Sequence, residues 1–462
     1  MIPLPETFLN QMKDLLPPDE FTAFCKSYEN PTVRGLRLNK LKPSPYYNDL
    51  PRVPWCAEGR IYPEAERPAK SIFYHAGLFY IQEPSAMCPV EVLKPQPGHR
   101  VLDLCAAPGG KSAQIAGHMQ GEGLLMSNDA SPSRSRALVK NLERMGVTNA
   151  VVTTELPKKL ADRFPEFFDR ILVDAPCSGE GMFRRDPDVV KAYTANKPEA
   201  CVEMQTDILR HAIKMLKPGG RLVYSTCTFN IMENEYLLAG ICARNQELVI
   251  VPIDHTALGI SQGLADLPQA GRIFPHLASG EGHFVALLEK ACEANASGRP
   301  RTVAPTSNDT SVGANCVRPH NAKIPKEFTE FCKAYIIGNF PTGQIVSHGA
   351  NLYLQPEPLD LRGLRVARSG WHLGECAKGR FVPSHALAMG LRKSDFLHTV
   401  ELSEENANRY LRGQSLDASE MFEAQPQSKP WVVVCYESYP LGWTRLVQGR
   451  LKNNLPVGLV IS

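Results

Sequence analysis

The sequence lacks the patterns that are typical of exported proteins, of membrane proteins and of proteins stabilised by metal sites or disulfides. Its 13 cysteines include no Cys-x-x-Cys pair and no Cys/His cluster with zinc spacing, so neither a disulfide framework nor a metal site is predicted. No run approaches about 18 uncharged apolar residues, and no basic leader precedes an apolar stretch at the start. These absences indicate a cytoplasmic protein that does not enter a membrane.

Charge and length set broad limits on the fold and its partners. A net charge of +3 over 462 residues is too small to prove a polyanionic partner, although local basic groups can still form a patch. The length predicts about three domains, and 43% apolar residues are enough to fill their cores.

The first 70 residues form a candidate RNA-binding extension. Their apolar spacing predicts amphipathic helices at 8–16 and 21–28. The run PTVRGLRLN follows and places Arg34 and Arg37 in a strand. There the two arginines suit RNA phosphates, but they equally suit the solvated face of an edge strand.

Residues 71–290 alternate short apolar runs with helical stretches. This alternation predicts an α/β domain with a mainly parallel sheet covered by helices on both faces. The predicted strands are 100–104, 124–128, 150–154, 170–173, 221–226 and 283–288.

Ligand-binding features stand where the first two of these strands end. The first runs into DLCAAPGGKS, from Asp103 to Ser112, whose glycines let the backbone approach a ligand and whose helix offers donors to a carboxylate or phosphate. A P-loop is excluded because Cys105 replaces its first glycine, and the dinucleotide pattern GxGxxG is absent. The second strand is followed by Asp129, which is typical of ribose recognition or, alternatively, is a surface acid opening the next helix.

Two later strands each carry a cysteine to the same edge. ILVDAPCSG contains Asp174 and Cys177, and RLVYSTCT contains Cys227. An acid and a thiol at the carboxyl edge of a sheet can hold a cofactor and attack a substrate. Alone, Asp174 and Cys177 are equally consistent with a turn cap and an inert core thiol, but a second strand-end cysteine favours the functional interpretation.

These motifs resemble a known family. DLCAAPGGKS, DAPCSGEGMFRRDP and YSTCT are similar to the S-adenosylmethionine-dependent RNA cytosine-5 methyltransferases of the Sun/NSUN group. RGLRLN, IQEPSAM and GWHLGECAKGRFVPSHALAM extend the resemblance to the bacterial RsmF (YebU) branch over nearly the whole chain. The resemblance implies a class I (Rossmann-like) methyltransferase core at 71–290, with an N-terminal extension and a C-terminal β-rich PUA-like module.

The chemistry explains why such a site needs two thiols. Carbon 5 of cytosine becomes nucleophilic only after a thiolate adds to carbon 6, and a base must then remove the carbon-5 proton before the enzyme is released. DNA cytosine-5 methyltransferases attack with the Pro-Cys thiol, here Cys177. The RNA family attacks with the Thr-Cys thiol, here Cys227, and uses the other for release, so the resemblance implies Cys227 as nucleophile and Cys177 as its helper.

The resemblance also implies a cofactor-binding set for S-adenosylmethionine. Its members are Cys105, Ala106, Ala107, Pro108, Gly109, Gly110, Lys111, Asp129, Glu155 and Asp174. Lys111 must have a carboxylate partner, because the first turn of a helix disfavours a cation. Glu155 departs from the family pattern: an acid in a Phe-Asp-Gly type turn usually contacts the adenine, whereas TTELP places the acid one position away.

The rest of the chain divides into a linker, an intermediate domain and a C-terminal module that the resemblance implies to be RNA-binding. Residues 291–325 read as an exposed linker, 326–393 as an intermediate domain and 394–462 as the PUA-like module. The candidates for base stacking and phosphate contact in that module are Trp443, Arg445, Arg450 and Lys452. A packed aromatic with ordinary surface charges fits these residues equally well. A second basic set fits a solvated helix face better than an RNA site and comprises Arg134, Arg136, Lys140 and Arg144.

We therefore predict a monomeric enzyme, without metal, that methylates carbon 5 of cytosine in structured RNA. The substrate implied is 16S ribosomal RNA or the small ribosomal subunit. A non-catalytic, RNA-binding ribosome-assembly factor on the same fold is the alternative, and a DNA methyltransferase is a weaker third interpretation.

Overall fold

The computed structural model describes residues 3–194, 197–292, 324–338, 340–418 and 430–461. Most of the predicted linker at 291–325 lies outside these residues. No helix in the described parts of the chain is both long and apolar enough to cross a bilayer.

The N-terminal extension contains both predicted helices and a small antiparallel sheet of order β2-β3-β1-β4. Leu36 of this sheet pairs with Ile81, so the extension continues past the predicted boundary at residue 70. Its elements, with the helix that leads into the central domain, are α1 (Glu6–Leu15), α2 (Pro18–Ser27), β1 (Gly35–Leu38), β2 (Arg52–Val53), β3 (Cys56–Ile61), α3 (Ile72–His75), β4 (Phe79–Ile81) and α4 (Cys88–Leu93).

The central domain has the predicted alternation of strands and helices, and all six predicted strands are present. Its elements are β5 (Arg100–Asp103), α5 (Gly110–Met119), β6 (Leu124–Asn128), α6 (Pro132–Arg144), β7 (Ala150–Thr153), α7 (Pro157–Arg163), β8 (Phe168–Asp174), α8 (Pro187–Ala192), α9 (Lys197–Met215), β9 (Leu216–Thr226), α10 (Glu235–Arg244), β10 (Leu248–Val251), α11 (His255–Leu258), β11 (Ser261–Gln262), β12 (Gly271–Ile273) and β13 (His283–Lys290).

One ten-stranded sheet organises this domain, with the order β11-β12-β13-β9-β8-β5-β6-β7-β16 and β10 paired to β13. The run from β9 to β7 is parallel, and β13 joins β9 antiparallel. Because the five central strands are parallel, their carboxyl ends meet at one edge of the sheet. The predicted mainly parallel α/β sheet is confirmed.

Helices bury both faces of this sheet. On one face Val101 and Leu125 pack with Ile115 of α5 and Leu138 of α6. The opposite face packs against α7 and α9, and every residue of β6 is buried. Strands buried on both faces read as continuous apolar runs, which is why they stood out in the sequence.

The C-terminal third forms two further sheets, of order β14-β15-β17-β18 and β19-β21-β22-β23-β20. Its elements are α12 (Lys326–Tyr335), β14 (Gln344–His348), β15 (Asn351–Gln355), β16 (Val366–Arg368), β17 (Trp371–Ala377), β18 (Arg380–Pro383), α13 (His385–Gly390), β19 (Thr399–Glu401), α14 (Glu404–Leu411), β20 (Leu416–Asp417), β21 (Trp431–Tyr436), β22 (Tyr439–Val447) and β23 (Arg450–Asn453). β16 belongs to the central sheet instead, since Val366 pairs with Thr153. The predicted intermediate segment is thus joined to the central sheet.

The N-terminal helices pack on the loops that carry the two cysteines. The rings of Phe8 and Phe183 lie 5.0 Å apart, and those of Phe24 and Phe229 lie 5.4 Å apart. Phe183 follows Cys177 and Phe229 follows Cys227 in sequence. The extension therefore supports both loops from outside the sheet.

Candidate active site

The two predicted cysteines meet at the carboxyl edge of the sheet. Cys177 follows β8 and Cys227 follows β9, and these neighbouring strands pair Asp174 with Ser225. The two Sγ atoms lie 3.4 Å apart. The hydrogen bond with Cys227, burial and the charge of Glu233 together raise the pKa of the Cys177 thiol. Cys177 thus holds its proton more tightly than an ordinary cysteine.

Asp174 lies beside the thiols and is held by three polar neighbours. Its carboxylate accepts hydrogen bonds from Lys111 Nζ at 2.7 Å and Ser225 Oγ at 2.9 Å, and His283 Nε2 lies 3.5 Å away. Burial by itself disfavours the charge, but Lys111 and His283 outweigh burial and lower the pKa of Asp174. The acid is therefore ionised at neutral pH.

Lys111 has the carboxylate partner that its helix position required. Burial alone would lower the pKa of Lys111, but Asp174 reverses the effect and raises it. Both members of the pair are charged, and the prediction of an acidic partner is confirmed.

The glycine loop runs from Cys105 to Gly110, between β5 and α5. Gly109 has φ +107°, and a side chain there would place its Cβ 2.9 Å from Leu138 Cδ1. No side chain caps the first turn of α5, so its N–H groups are available to a carboxylate. Burial raises the pKa of the Cys105 thiol, which makes Cys105 an unreactive lining residue.

Asp129 faces the same loop from the end of β6. Its carboxylate accepts the N–H of Ala107 at 3.3 Å and that of Ser131 at 3.0 Å. Arg134 Nη1 lies 3.5 Å from it. The acid predicted for ribose hydroxyls is thus placed within reach of the glycine loop.

The backbone of Glu155 stands at this edge, but its carboxylate is already engaged. Its amide donates to Asn128 Oδ1 at 2.9 Å. The carboxylate accepts from Lys159 Nζ at 2.9 Å and from the N–H of Arg365 at 2.6 Å. Glu155 therefore anchors the C-terminal segment beside β7, and adenine contact by its side chain stays a prediction.

Three residues of the site were missed in the sequence. Asp103, at the end of β5, is fully buried, accepts from Ser112 Oγ at 2.6 Å and has an unpartnered Oδ1. Burial raises its pKa to about 7. The position of Asp103 in the DLCAAPGGKS motif could have identified it from the sequence. Ser225 and His283 gave no such signal, because they reach Asp174 only through the pairing of β8, β9 and β13.

The cofactor residues fit S-adenosylmethionine in the chemistry of their donors. The uncapped first turn of α5 offers N–H groups to its carboxylate. Asp103 and Asp129 offer oxygen acceptors to its amine and ribose hydroxyls. The buried, unpartnered Oδ1 of Asp103 is the kind of acceptor that an ammonium group satisfies.

Two of the candidate RNA contacts are wrong because their side chains are buried inside the protein. Arg37 is 3% exposed, donates to Gln82 and lies 3.3 Å from Gln114 Oε1. Trp443 is 1% exposed, and its indole N–H donates to the carbonyl of Ser384. Neither can stack on a base or contact a phosphate in this structure.

The basic set on α6 divides between solvent and the interior: Arg134, Arg136 and Lys140 are exposed, as predicted for a solvated face, whereas Arg144 is buried. Arg144 is 6% exposed and stacks 3.7 Å over the ring of Tyr74. Lys140 Nζ donates to the carbonyl of Gly458 at 2.6 Å. This helix joins the N-terminal and C-terminal parts of the chain to the core.

One cluster of potential metal ligands occurs in the described ranges, and it includes neither Cys177 nor Cys227. Cys56, Glu58 and Glu91 bring their ligand atoms within 4.8 Å of one another. Glu58 pairs with Lys40 at 3.1 Å and Glu91 with His118 at 3.1 Å. Both acids thus already have polar partners within the protein.

Family models cover most of the chain. The 16S rRNA methyltransferase RsmB/F model matches residues 90–289, and the model of the N-terminal domain of 16S rRNA methyltransferase RsmF matches residues 4–84. The model of the RsmF rRNA methyltransferase first C-terminal domain matches residues 330–391, and that of the methyltransferase RsmF PUA domain matches residues 397–461.

Full-length relatives and solved structures agree with these matches. Ribosomal RNA small subunit methyltransferase F of Erwinia tasmaniensis is 34% identical over 99% of this chain and 96% of its own length. That of Salmonella schwarzengrund is 32% identical over the same shares. A methyltransferase homologue from Pyrococcus horikoshii is 30% identical, with TM-score 0.53 over 62% of this chain and 95% of its own. NSun6 from Pyrococcus horikoshii with SFG, 22% identical, shares the fold, with TM-score 0.54 over 63% of this chain and 99% of its own.

Proposed function

Because the chain belongs to the RsmF family of 16S ribosomal RNA methyltransferases, we propose that Cys227 forms a covalent bond to the target cytosine and that Cys177 serves its release. The chain is an S-adenosylmethionine-dependent ribosomal RNA methyltransferase that modifies cytosine. The observation that carries the proposal is the pair of thiols 3.4 Å apart, next to the Asp174–Lys111 ion pair.

The motifs that carry the two thiols support this division of labour, since the RNA family attacks with the Thr-Cys thiol, which is Cys227 here. Cys227, as a thiolate, adds to carbon 6, so that carbon 5 becomes nucleophilic and takes the methyl group. The raised pKa of Cys177 suits a group that is protonated during attack. For release, a general base takes the carbon-5 proton, the electron pair of that C–H bond restores the 5,6 double bond, and Cys227 leaves carbon 6 as a thiolate.

Bound S-adenosylmethionine supplies the electrophilic methyl group. We assign its methionine portion to Cys105 through Lys111 and its ribose to Asp129, and we retain Glu155 as the candidate beside the adenine. We assign Asp174, kept ionised by Lys111, as the acceptor of a hydrogen bond from the exocyclic amine of cytosine or from the methionine ammonium. Both groups are donors, which matches an acceptor-only carboxylate.

RNA contact outside the active site is assigned to the outer face of the C-terminal sheet. Arg445 of β22 pairs with Lys452 of β23, and Arg450 lies two residues away on the same face. All three side chains are exposed. Like charges directly opposite repel one another, and a phosphate backbone would relieve that repulsion. The full proposal is a cytoplasmic monomer acting on 16S ribosomal RNA or the small subunit.

Single Cys→Ala variants test the assignment. We expect Cys227→Ala to lose methyl transfer from labelled cofactor to RNA and to form no covalent adduct. Cys177→Ala should form an RNA adduct that survives denaturing electrophoresis, because attack proceeds while release is blocked. Methyl transfer by Cys227→Ala at the wild-type rate, or failure of Cys177→Ala to form an adduct, would contradict the proposal.

A further inference from the structure

Two buried acids near the thiols have no role in the reaction described above. Glu180 and Glu233 are both fully buried. Each accepts hydrogen bonds from neutral groups, and burial raises the pKa of both carboxyls. Burying an acid is costly, so the contacts that these two side chains make call for an explanation.

Glu180 reaches from the Cys177 loop to the Cys227 loop. Its Oε2 accepts the N–H of Phe229 at 3.1 Å, two residues beyond Cys227. The same oxygen accepts Gln11 Nε2 of α1 at 3.0 Å, and Oε1 accepts the hydroxyl of Tyr193 at 3.1 Å. The acid thus fixes the second loop from the first.

Glu233 makes the opposite connection. It lies beyond Cys227, and its Oε2 accepts the N–H of Ser178, which directly follows Cys177, at 3.0 Å. The same oxygen accepts Gln205 Nε2 at 2.8 Å, and Gln205 also donates to the carbonyl of Pro176 at 2.9 Å. The residues on both sides of Cys177 are thereby held.

Direct contacts between the loops complete the arrangement. The N–H of Gly181 donates to the carbonyl of Cys227 at 2.8 Å, and the hydroxyls of Ser178 and Thr228 lie 2.7 Å apart. A Cβ at position 181 would lie 2.9 Å from the Cys227 carbonyl oxygen, so this close approach needs a glycine.

We propose that Glu180 and Glu233 are positioning residues that form a reciprocal clasp, in which each acid of one cysteine loop holds a backbone N–H of the other and so sets the separation of the two thiols. The functional value of the clasp rests on the proposed roles of Cys227 and Cys177. The effect of the clasp on the separation of the two thiols does not depend on those roles.

Glu233 has a second, electrostatic effect. Its negative charge adds to the hydrogen bond from Cys227 and to burial in raising the pKa of Cys177. Replacing the acid by an amide keeps an acceptor for Ser178 but removes this charge. Position and charge can therefore be separated at one residue.

The thiol separation can be measured without any methyl transfer. Diamide oxidises two neighbouring thiols to a disulfide, taking two electrons and two protons to become the hydrazine. Peptide mass spectrometry of the full-length protein then follows formation of the Cys177–Cys227 disulfide. We expect Glu180→Ala and Glu233→Ala to slow this step by about 10-fold or more, because a loosened loop misplaces the reacting atoms.

Conservative and control variants separate positioning from general damage. Glu180→Gln and Glu233→Gln keep an acceptor, so they should recover most of the oxidation rate. Glu233→Gln should also move iodoacetamide alkylation of Cys177 to lower pH. The control is Glu91→Ala, which removes a partly buried acid bonded to Gln114 and His118; this variant should oxidise the Cys177–Cys227 pair within about 2-fold of wild type. If Glu233→Ala does not fold, Gln205→Ala removes the two hydrogen bonds that hold Glu233 and Pro176 in place, and it should slow oxidation by about 2- to 10-fold.

The outcomes distinguish the clasp from the proposed function. Wild-type oxidation rates in the folded alanine variants, or in Gln205→Ala, would overturn the clasp whatever the methyltransferase activity. The expected oxidation rates together with full methyl transfer by Cys227→Ala would overturn the proposed function and leave the clasp standing. In methyl transfer, the alanine variants should lower kcat by about 10-fold or more, with KM for S-adenosylmethionine within about 2-fold of wild type.

Discussion

Removing Lys111 should expose how strongly the active-site ion pair is coupled. Lys111 Nζ lies 2.7 Å from Asp174 Oδ2, and the side chains are 12% and 28% exposed. Breaking a fully buried pair costs about 3–5 kcal/mol, whereas exposed pairs contribute about 1 kcal/mol or less. For this intermediate burial we expect Lys111→Met to lower the free energy of unfolding by about 2 kcal/mol, because Asp174 is left as a shielded charge without its cation.

A double-mutant cycle measures the coupling directly. Asp174→Asn should also lower the free energy of unfolding by about 2 kcal/mol, and the double variant should lower it by about the same amount as either single variant. The coupling energy between the two residues is then about 2 kcal/mol, measured by urea denaturation followed by circular dichroism. The matched control is Lys393 with Glu401, which has the same 2.7 Å distance but 36% and 42% exposure; its coupling should be about 0.5 kcal/mol or less. Additive losses at the active-site pair, or equal coupling in both pairs, would refute the reasoning.

Three further perturbations have definite expected results. The pKa of Asp103 is about 7 in the folded protein and about 3.9 in the unfolded chain, so the stability that its proton adds is lost as pH rises through 7. Between pH 6 and 8.5, the free energy of unfolding of wild type should therefore fall by about 1.4 kcal/mol relative to that of Asp103→Asn, as measured by urea denaturation. Gly109→Ala should cost about 1 kcal/mol or more in the same assay, because φ is +107° and the new Cβ meets Leu138; unchanged stability would contradict the geometry. The double variant Arg445→Glu/Lys452→Glu should weaken RNA binding in filter assays and reduce its salt dependence by about two counterions, and an unchanged salt slope would exclude phosphate contact there.

The core of the site was predictable because its determinants are local in sequence. Each strand of the parallel sheet ends in a short motif, and parallel topology brings the ends together, so Asp129, Asp174 and the two cysteines were assigned to one edge. The 3.4 Å separation of the thiols and the partner of Lys111 follow from that topology.

What was missed depends on contacts between distant segments. His283 reaches Asp174 because β13 pairs with β9, and Gln11 of α1 reaches Glu180, 169 residues away. Arg37 sits in a strand that resembles an exposed edge, yet the packing of the extension on the core buries it. No local pattern encodes such pairings, so residue type alone suggested RNA contacts that the folded chain does not make.

The identity of the attacking thiol is the central claim, and a trapped adduct tests it most directly. RNA with 5-fluorocytidine at the target carries fluorine where the carbon-5 proton would be removed, so release is blocked and the covalent bond to carbon 6 persists. Digestion of the adduct and mass spectrometry of its peptides should place the nucleotide on Cys227, with Cys177 unmodified. A nucleotide attached to Cys177, or a fully methylating enzyme that leaves no adduct, would contradict the proposed mechanism.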